Sequence, residues 1–277
     1  MRYDQQQLLK ELHNNYTAHL SLNALINHPD LQTNFGPKFI YILKLMTDAQ
    51  YLNTIAQIDQ VNSSISQAEI SSFIFLDAAR HRNKHKEILR ISFDSVVHHH
   101  RQDPTPPFGT TFEFWTRHPQ QAHLVGEYLP LCPHHWKEHV ELGLVGFFAR
   151  ERGDAPLLFQ ILEHFTITQK QAETFLTWMG PHDALEVINM SLNEHHLNTK
   201  RLQFFTHVLD LINKYAHTKN SKTPKYSPYA SGTNQSLTQS ELNLLHTLQH
   251  DITSQLQKIV LQQHMGELGE HNHKRKL

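Results

Sequence analysis

Two histidines four positions apart, in His135-Trp-Lys-Glu-His139, have the spacing in this chain that most directly invites metal chemistry. Residues at i and i+4 share one helix face, and zinc takes three or four nitrogen, oxygen or sulfur ligands. The order differs from His-Glu-x-x-His, which sets a general base between two ligands. A third ligand must therefore come from elsewhere, with His164 and His123 as candidates. A metal-dependent enzyme on a helical scaffold, using His135 and His139, is the alternative reading of function. In a chain with 24 histidines such a pair also arises by chance, and no metal or other cofactor is expected. His98-His-His100 is a second cluster. Three adjacent side chains on a helix point in three directions, so this run predicts a polar helix end, favoured by the C-terminal dipole when charged, and not a shared metal. Glu138 with Glu141, and Glu151 with Asp154, read as solvated helix surface, because acid-base work also needs an enclosing pocket. The sequence has no phosphate-cradling glycine loop, no Gly-x-Ser-x-Gly elbow and no Cys-x-x-Cys.

Arginine is placed more regularly. Arg80, Arg82, Arg117, Arg150 and Arg152 recur near equivalent helix ends, so a regular array would bring them along one edge. Guanidinium groups suit bidentate capture of carboxylates, and Trp115 beside them would serve as an interface anchor. Arg80, Arg82, Trp115, Arg117, Arg150 and Arg152 are the candidate partner-binding residues, with an acidic segment of another protein as the ligand. Compensation of helix C-terminal dipoles is the competing role for the same arginines.

The elements that would position them are helical. Phe114 to Leu129 and Phe147 to Leu162 align without a gap at an offset of thirty-three residues. The alignment pairs Arg117 with Arg150, Ala122 with Ala155, and Leu124, Val125, Tyr128, Leu129 with Leu157, Leu158, Ile161, Leu162. Each copy reads as a helix end, a short turn and a second helix with a fixed apolar face. Taking Asn83, Gln120, Gly153 and Gly180 as further turn positions gives spacings of 37, 33 and 27. Repeats of this size imply stacked hairpins, none able to bury its apolar face alone.

Along the chain, residues 4 to 27 predict an opening helix stopped at His28-Pro29, and Pro37 predicts a first-turn proline. Ser66-Gln-Ala-Glu69 is a helix-start signature. Asp103 to Thr111, rich in proline, predicts a connection without helix. Pro133 opens a long helix in which Gly143 and Gly146 predict close approach of a neighbour. Gly180-Pro181 is a break. Residues 1–218 thus form the expected array, 219–236 a linker rich in Lys, Thr, Ser, Pro and Tyr, 237–265 an amphipathic helix able to cap the array's open end, and 266–277 a polar tail.

Composition sets further limits. Lys plus Arg is 25 against 26 for Asp plus Glu, which lacks the basic footprint of nucleic-acid binding. No apolar run approaches the roughly 20 residues of a membrane span, and Met1-Arg-Tyr-Asp has no signal-peptide core. One cysteine, Cys132, excludes an intrachain disulfide and suits a reducing, cytoplasmic setting.

At Ala149-x-x-x-Gly153 followed by Leu157, Leu158, Ile161 and Leu162, the spacing resembles the second half of an ankyrin repeat. The Thr-Pro-Leu-His turn is absent and the preceding helix is too long, so the chain is more similar to tetratricopeptide-like and other irregular α-solenoids over residues 66 to 215. The Gln, His and Asn richness and the polar tail with Glu267 and Glu270 resemble secreted effectors of intracellular bacteria, or regulators of a companion effector. Those resemblances imply an all-α superhelical stack of irregular hairpins with a C-terminal capping helix. They also imply a non-catalytic scaffold acting as adaptor, inhibitor or regulator of another protein, delivered to a host cytosol by a bacterial secretion system.

Overall fold

Ser66, Thr168 and Thr47 each stand where a helix starts, and each hydroxyl accepts a hydrogen bond from the amide three residues on, at 3.1 Å for Ser66 and 3.4 Å for the other two. Thr47 and Thr168 add the reciprocal bond, Gln50 and Gln171 accepting from the cap amides at 2.8 and 3.1 Å. Such local signals partition the chain. The computed structural model describes residues 3–19, 21–107, 109–118, 120–151, 155–192, 197–217 and 237–274. Among them there is no strand, and the α-helices are α1 (Tyr3–His19), α2 (Leu22–Ile26), α3 (Pro29–Gln32), α4 (Phe35–Leu45), α5 (Asp48–Ala56), α6 (Gln67–His81), α7 (Lys86–His99), α8 (Gly109–Arg117), α9 (Ala122–Tyr128), α10 (His134–Arg150), α11 (Ala155–Ile161), α12 (Gln169–Met179), α13 (Pro181–Leu192), α14 (Thr199–His217) and α15 (Gln239–Lys274). The all-α expectation holds. The expected linker 219–236 lies outside the described residues.

Two compact units divide the chain. The first comprises Met1–Phe112 with Leu131–Trp136, the second Glu113–Pro130 with Lys137–Leu277. Within the first, α1 packs on α4, α4 on α6, and α7 on both α5 and α6. Its core takes Leu9, Leu12, Tyr16, Phe39, Ile42, Ile74, Phe75 and Phe93, all buried, each contributing on the order of 1.5–3 kcal/mol. The opening helix is not continuous to residue 27. Ser21 caps a separate helix by accepting from the Ala24 amide, and Gln57 Oε1 accepts from the Leu22 amide at 2.8 Å, so the new helix start is satisfied by a side chain thirty-five residues away.

The second unit packs α9 on α11, α11 on α13, α12 on α14, and α15 on α13 and α14. Phe159, Phe175, Phe204 and Phe205 fill its centre, with Phe159 edge-on to Phe205 at 4.8 Å and Phe175 edge-on to Phe204 at 5.4 Å. The thirty-three-residue offset recurs in local structure. Helices α8 and α10 end at Arg117 and Arg150, α9 and α11 start at Ala122 and Ala155 with 7 residues each, and 3-10 turns follow at Leu129–Leu131 and Leu162–His164. Of the eight paired apolar residues only Leu157 is half-buried; the rest are buried. The wider spacing does not carry over. Helix α7 has 14 residues, and α12 meets α13 through Gly180 alone, at φ 82°.

Helix α8 begins at Gly109, inside the stretch expected to be irregular, because that stretch's prolines end at Pro107 and every residue of α8 has an amide to give. Helix α15 runs to Lys274, through most of the stretch expected as a tail. Its Leu245, Leu248 and Ile252 are buried where it packs on α13 and α14, whereas Val260 and Leu261 are exposed.

Glu241 fixes that docking. Burial raises its carboxyl, but the hydrogen bond with His182 Nδ1 at 2.5 Å, and those from the Thr238 amide and hydroxyl, both 2.7 Å, outweigh it and hold the group down at about 2. A carboxylate held below its ordinary 4.5 stabilises the fold fully above that pH and loses the contribution as pH falls toward about 2. Glu241→Gln should therefore lower thermal stability at neutral pH, and its deficit against the parent should shrink as the pH of the melts is lowered through that window.

The glycines of α10 differ. A Cβ on Gly146 would lie 3.1 Å from Trp178 Nε1 and 3.3 Å from its Cδ1, whereas one on Gly143 would meet nothing within 4 Å. Close approach is thus the role of Gly146 alone. Gly143→Ala should raise stability by about 0.5–1 kcal/mol, and Gly146→Ala should gain less or lose, as read from urea midpoints.

Candidate functional site

Helices α8 and α10 end in arginines with Phe147 between them. Arg117 Cζ lies 4.6 Å from the centroid of the Phe147 ring and Arg150 Cζ 5.8 Å from it. Both arginines are exposed and the ring is half-buried, so two cations stand against one aromatic ring, each contact contributing about 0.5–1 kcal/mol at an exposed position. Glu113, one turn before Arg117, is half-buried. Burial pushes its carboxyl up, and Arg117 and Arg150 pull it part of the way back. Arg150 Nε also lies 3.7 Å from Glu151 Oε1. The result is an aromatic-centred surface in the second unit on which two guanidinium groups stand beside the carboxyls of Glu113 and Glu151.

The other arginines go elsewhere. Arg80 is exposed on α6 in the first unit, and Arg152 lies outside the described residues. Arg82 faces inward. Its Nη1 donates to Asp48 Oδ1 at 2.5 Å, its Nη2 to the carbonyls of Leu43 at 3.1 Å and Met46 at 2.5 Å, and its Cζ sits 4.5 Å from the centroid of the Tyr51 ring. One guanidinium thus closes the carbonyl end of α4 and meets the acidic first turn of α5. Trp115 is fully buried and packs 5.4 Å from Tyr128, a core position and not an exposed anchor.

The carboxylates differ from a solvated surface in one respect. Glu138 is exposed and accepts from Lys170 Nζ at 2.6 Å, but Glu141 is 2% exposed. Glu141 accepts from the Thr166 amide at 3.1 Å and from Gln171 Nε2 at 2.8 Å. Gln171 also completes the cap of α12, so Glu141 holds the start of that helix. Burial raises its carboxyl, opposed by the bonds from Thr166 and Gln171 and by Lys137 and Lys200.

His135 and His139 are both exposed on α10, His123 is exposed on α9, and His164 lies 3.2 Å from Glu163 Oε1. Among the described residues, three or more ligand atoms gather in one place only, at Asp59, His98 and His99, where they lie within 4.8 Å of one another. The metal-ligand spacing seen at His135 and His139 gains no third group there. Of the adjacent histidines, expected to diverge, His98 and His99 instead meet edge to face at 5.0 Å. His100 turns to the other side, its Nδ1 2.5 Å from Asp103 Oδ2 and its Nε2 2.8 Å from Ser72 Oγ and 2.7 Å from the Ala68 carbonyl. A cavity of about 170 Å³ in the first unit, lined by Ser72, Phe73, Phe75, Leu76, Val96, Pro107 and Thr111, has no ionisable lining residue.

Burial separates the arginines by role. Arg82→Ala should cost about 2–3 kcal/mol, the loss of charge-assisted bonds to half-buried acceptors, while Arg117→Ala should cost under about 1 kcal/mol. Chemical denaturation of the two variants measures the difference.

Comparison with known protein families, with curated proteins and with solved structures finds no match for this chain.

Proposed function

We propose that this chain is a non-catalytic binding protein that takes an acidic, extended segment of a partner protein across the ends of α8 and α10. The observation that carries this reading is the pair of exposed guanidinium groups on the single half-buried ring of Phe147. Arginine offers planar donors that match carboxylates, and an aromatic floor gives an incoming side chain apolar area beside them. Glu113 and Glu151 stand at the same surface, so a partner's carboxylates would displace or share resident contacts, which favours modest affinity with strong salt dependence.

The helical-hairpin recurrence at α8–α9 and α10–α11 supports a scaffold of the α-solenoid type, similar to tetratricopeptide-like and ankyrin-like arrays, serving as adaptor, inhibitor or regulator. A role as a secreted bacterial effector, or regulator of one, acting in a reducing cytosol, rests on composition and the single cysteine. No helix among the described residues is long and apolar enough to cross a membrane.

A fluorescent glutamate-rich peptide with a central aromatic residue tests the site by polarisation. Binding should weaken as salt rises, and the double change Arg117→Glu with Arg150→Glu should weaken it by more than about tenfold. Equal binding of a lysine-rich control peptide, or affinity unmoved by the double change, would refute the assignment.

A further inference from the structure

We propose that Asp59, His98 and His99 bind a divalent transition-metal ion, with zinc as the natural probe, joining the turn after α5 to the C-terminal end of α7. This site is separate from the arginine surface and does not depend on it.

Each ligand is placed by its own element. Asp59 is the middle residue of the 3-10 turn Ile58–Gln60, anchored by the fully buried Ile58. Its backbone carbonyl accepts from Gln67 Nε2 at 3.1 Å, which ties the turn to the start of α6. His98 and His99 are the last two residues of α7, where the carbonyl end of the helix favours positive charge.

The contacts of His99 carry the argument. Its Nδ1 lies 2.7 Å from the Ser95 carbonyl oxygen, and its Nε2 lies 2.9 Å from Asp59 Oδ1. A carbonyl only accepts, so Nδ1 donates, and in a neutral imidazole Nε2 then has a lone pair aimed at a carboxylate oxygen. Two acceptors face each other unless a cation joins them. A proton on Nε2 would suffice for this pair alone. A metal ion also accounts for the third group: His98 adds a second imidazole edge to face with the first, and one ligand atom from each residue lies within 4.8 Å of the others. Three donors each about 2.0–2.2 Å from one ion span no more than about 4.4 Å, so small side-chain rotations close the set.

The Nδ1–H donation to Ser95 is the outer contact that metal-bound imidazoles regularly make, fixing ring orientation and directing Nε2 to the ion. Two imidazoles and one carboxylate suit zinc and its neighbours in the first transition row and not the oxygen-seeking calcium and magnesium. Asp59 and His98 are exposed, leaving the remaining coordination positions to water. Binding in the folded state alone would raise the stability of the first unit.

The test uses the full chain, purified without a histidine tag and stripped with chelator, titrated with zinc against a chromophoric competitor. A single equivalent should bind, and zinc should raise the melting temperature by on the order of 5 °C at a hundredfold excess over Kd. Asp59→Asn and His98→Gln, both at exposed positions, should each weaken that equivalent by about 10- to 100-fold and cut the thermal shift at the same zinc concentration to about half or less. The double change His135→Gln with His139→Gln should leave both unchanged. No stoichiometric zinc, or zinc bound equally by Asp59→Asn and His98→Gln, or zinc lost only with His135 and His139, would overturn the assignment.

Discussion

An all-helical chain buries helix ends, and every buried end exposes amides or carbonyls that must find partners away from water. That requirement governs where the polar side chains of this protein go. Arg82 closes the carbonyl end of α4, Glu141 takes the amide before α12, Gln57 takes the first amide of α2, and Lys200 donates at 2.8 Å to the carbonyls of both Glu163 and Phe165. Gln32 Nε2 donates to the Ile26 carbonyl at 2.6 Å. Most of these are residues that composition alone would assign to the surface, and the inward-turned Arg82, which caps α6, contrasts with Arg117 and Arg150, exposed at the ends of α8 and α10.

How much was legible follows the same division. Signals that act within a few residues were read correctly: the Ser66 start, the Pro133 start of α10 and the Gly180-Pro181 break all fall at helix boundaries. So was the offset between the segments ending at Arg117 and Arg150, because a shared helix-turn-helix length leaves its mark on residue type. The division at Ser21 was not, since its second support comes from Gln57, and periodicity along one helix has no information about it. The inward turn of Arg82 was equally hidden. Its type and position at a helix end match Arg117 and Arg150, and only the presence of α4 and α5 beside it decides its direction.

The histidines show why spacing within one helix is a limited guide to metal chemistry. His135 and His139 satisfy the i, i+4 rule and gather no third group among the described residues, whereas His98 and His99 break it and meet Asp59 forty residues away. A rule that fixes the direction of Cβ says little about where a ring ends up after two rotatable bonds at the last turn of a helix.

The order in which the two units occur along the chain has a consequence for biosynthesis. The first unit includes Leu131–Trp136, whereas the intervening 113–130 belongs to the second. Trp136 is fully buried and its indole donates to the Asp103 carbonyl at 2.7 Å. A ribosome delivering the chain from its N-terminus therefore cannot release a finished first unit at residue 112; the nascent polypeptide must wait for the returning tryptophan, and by then the opening part of the second unit has already emerged.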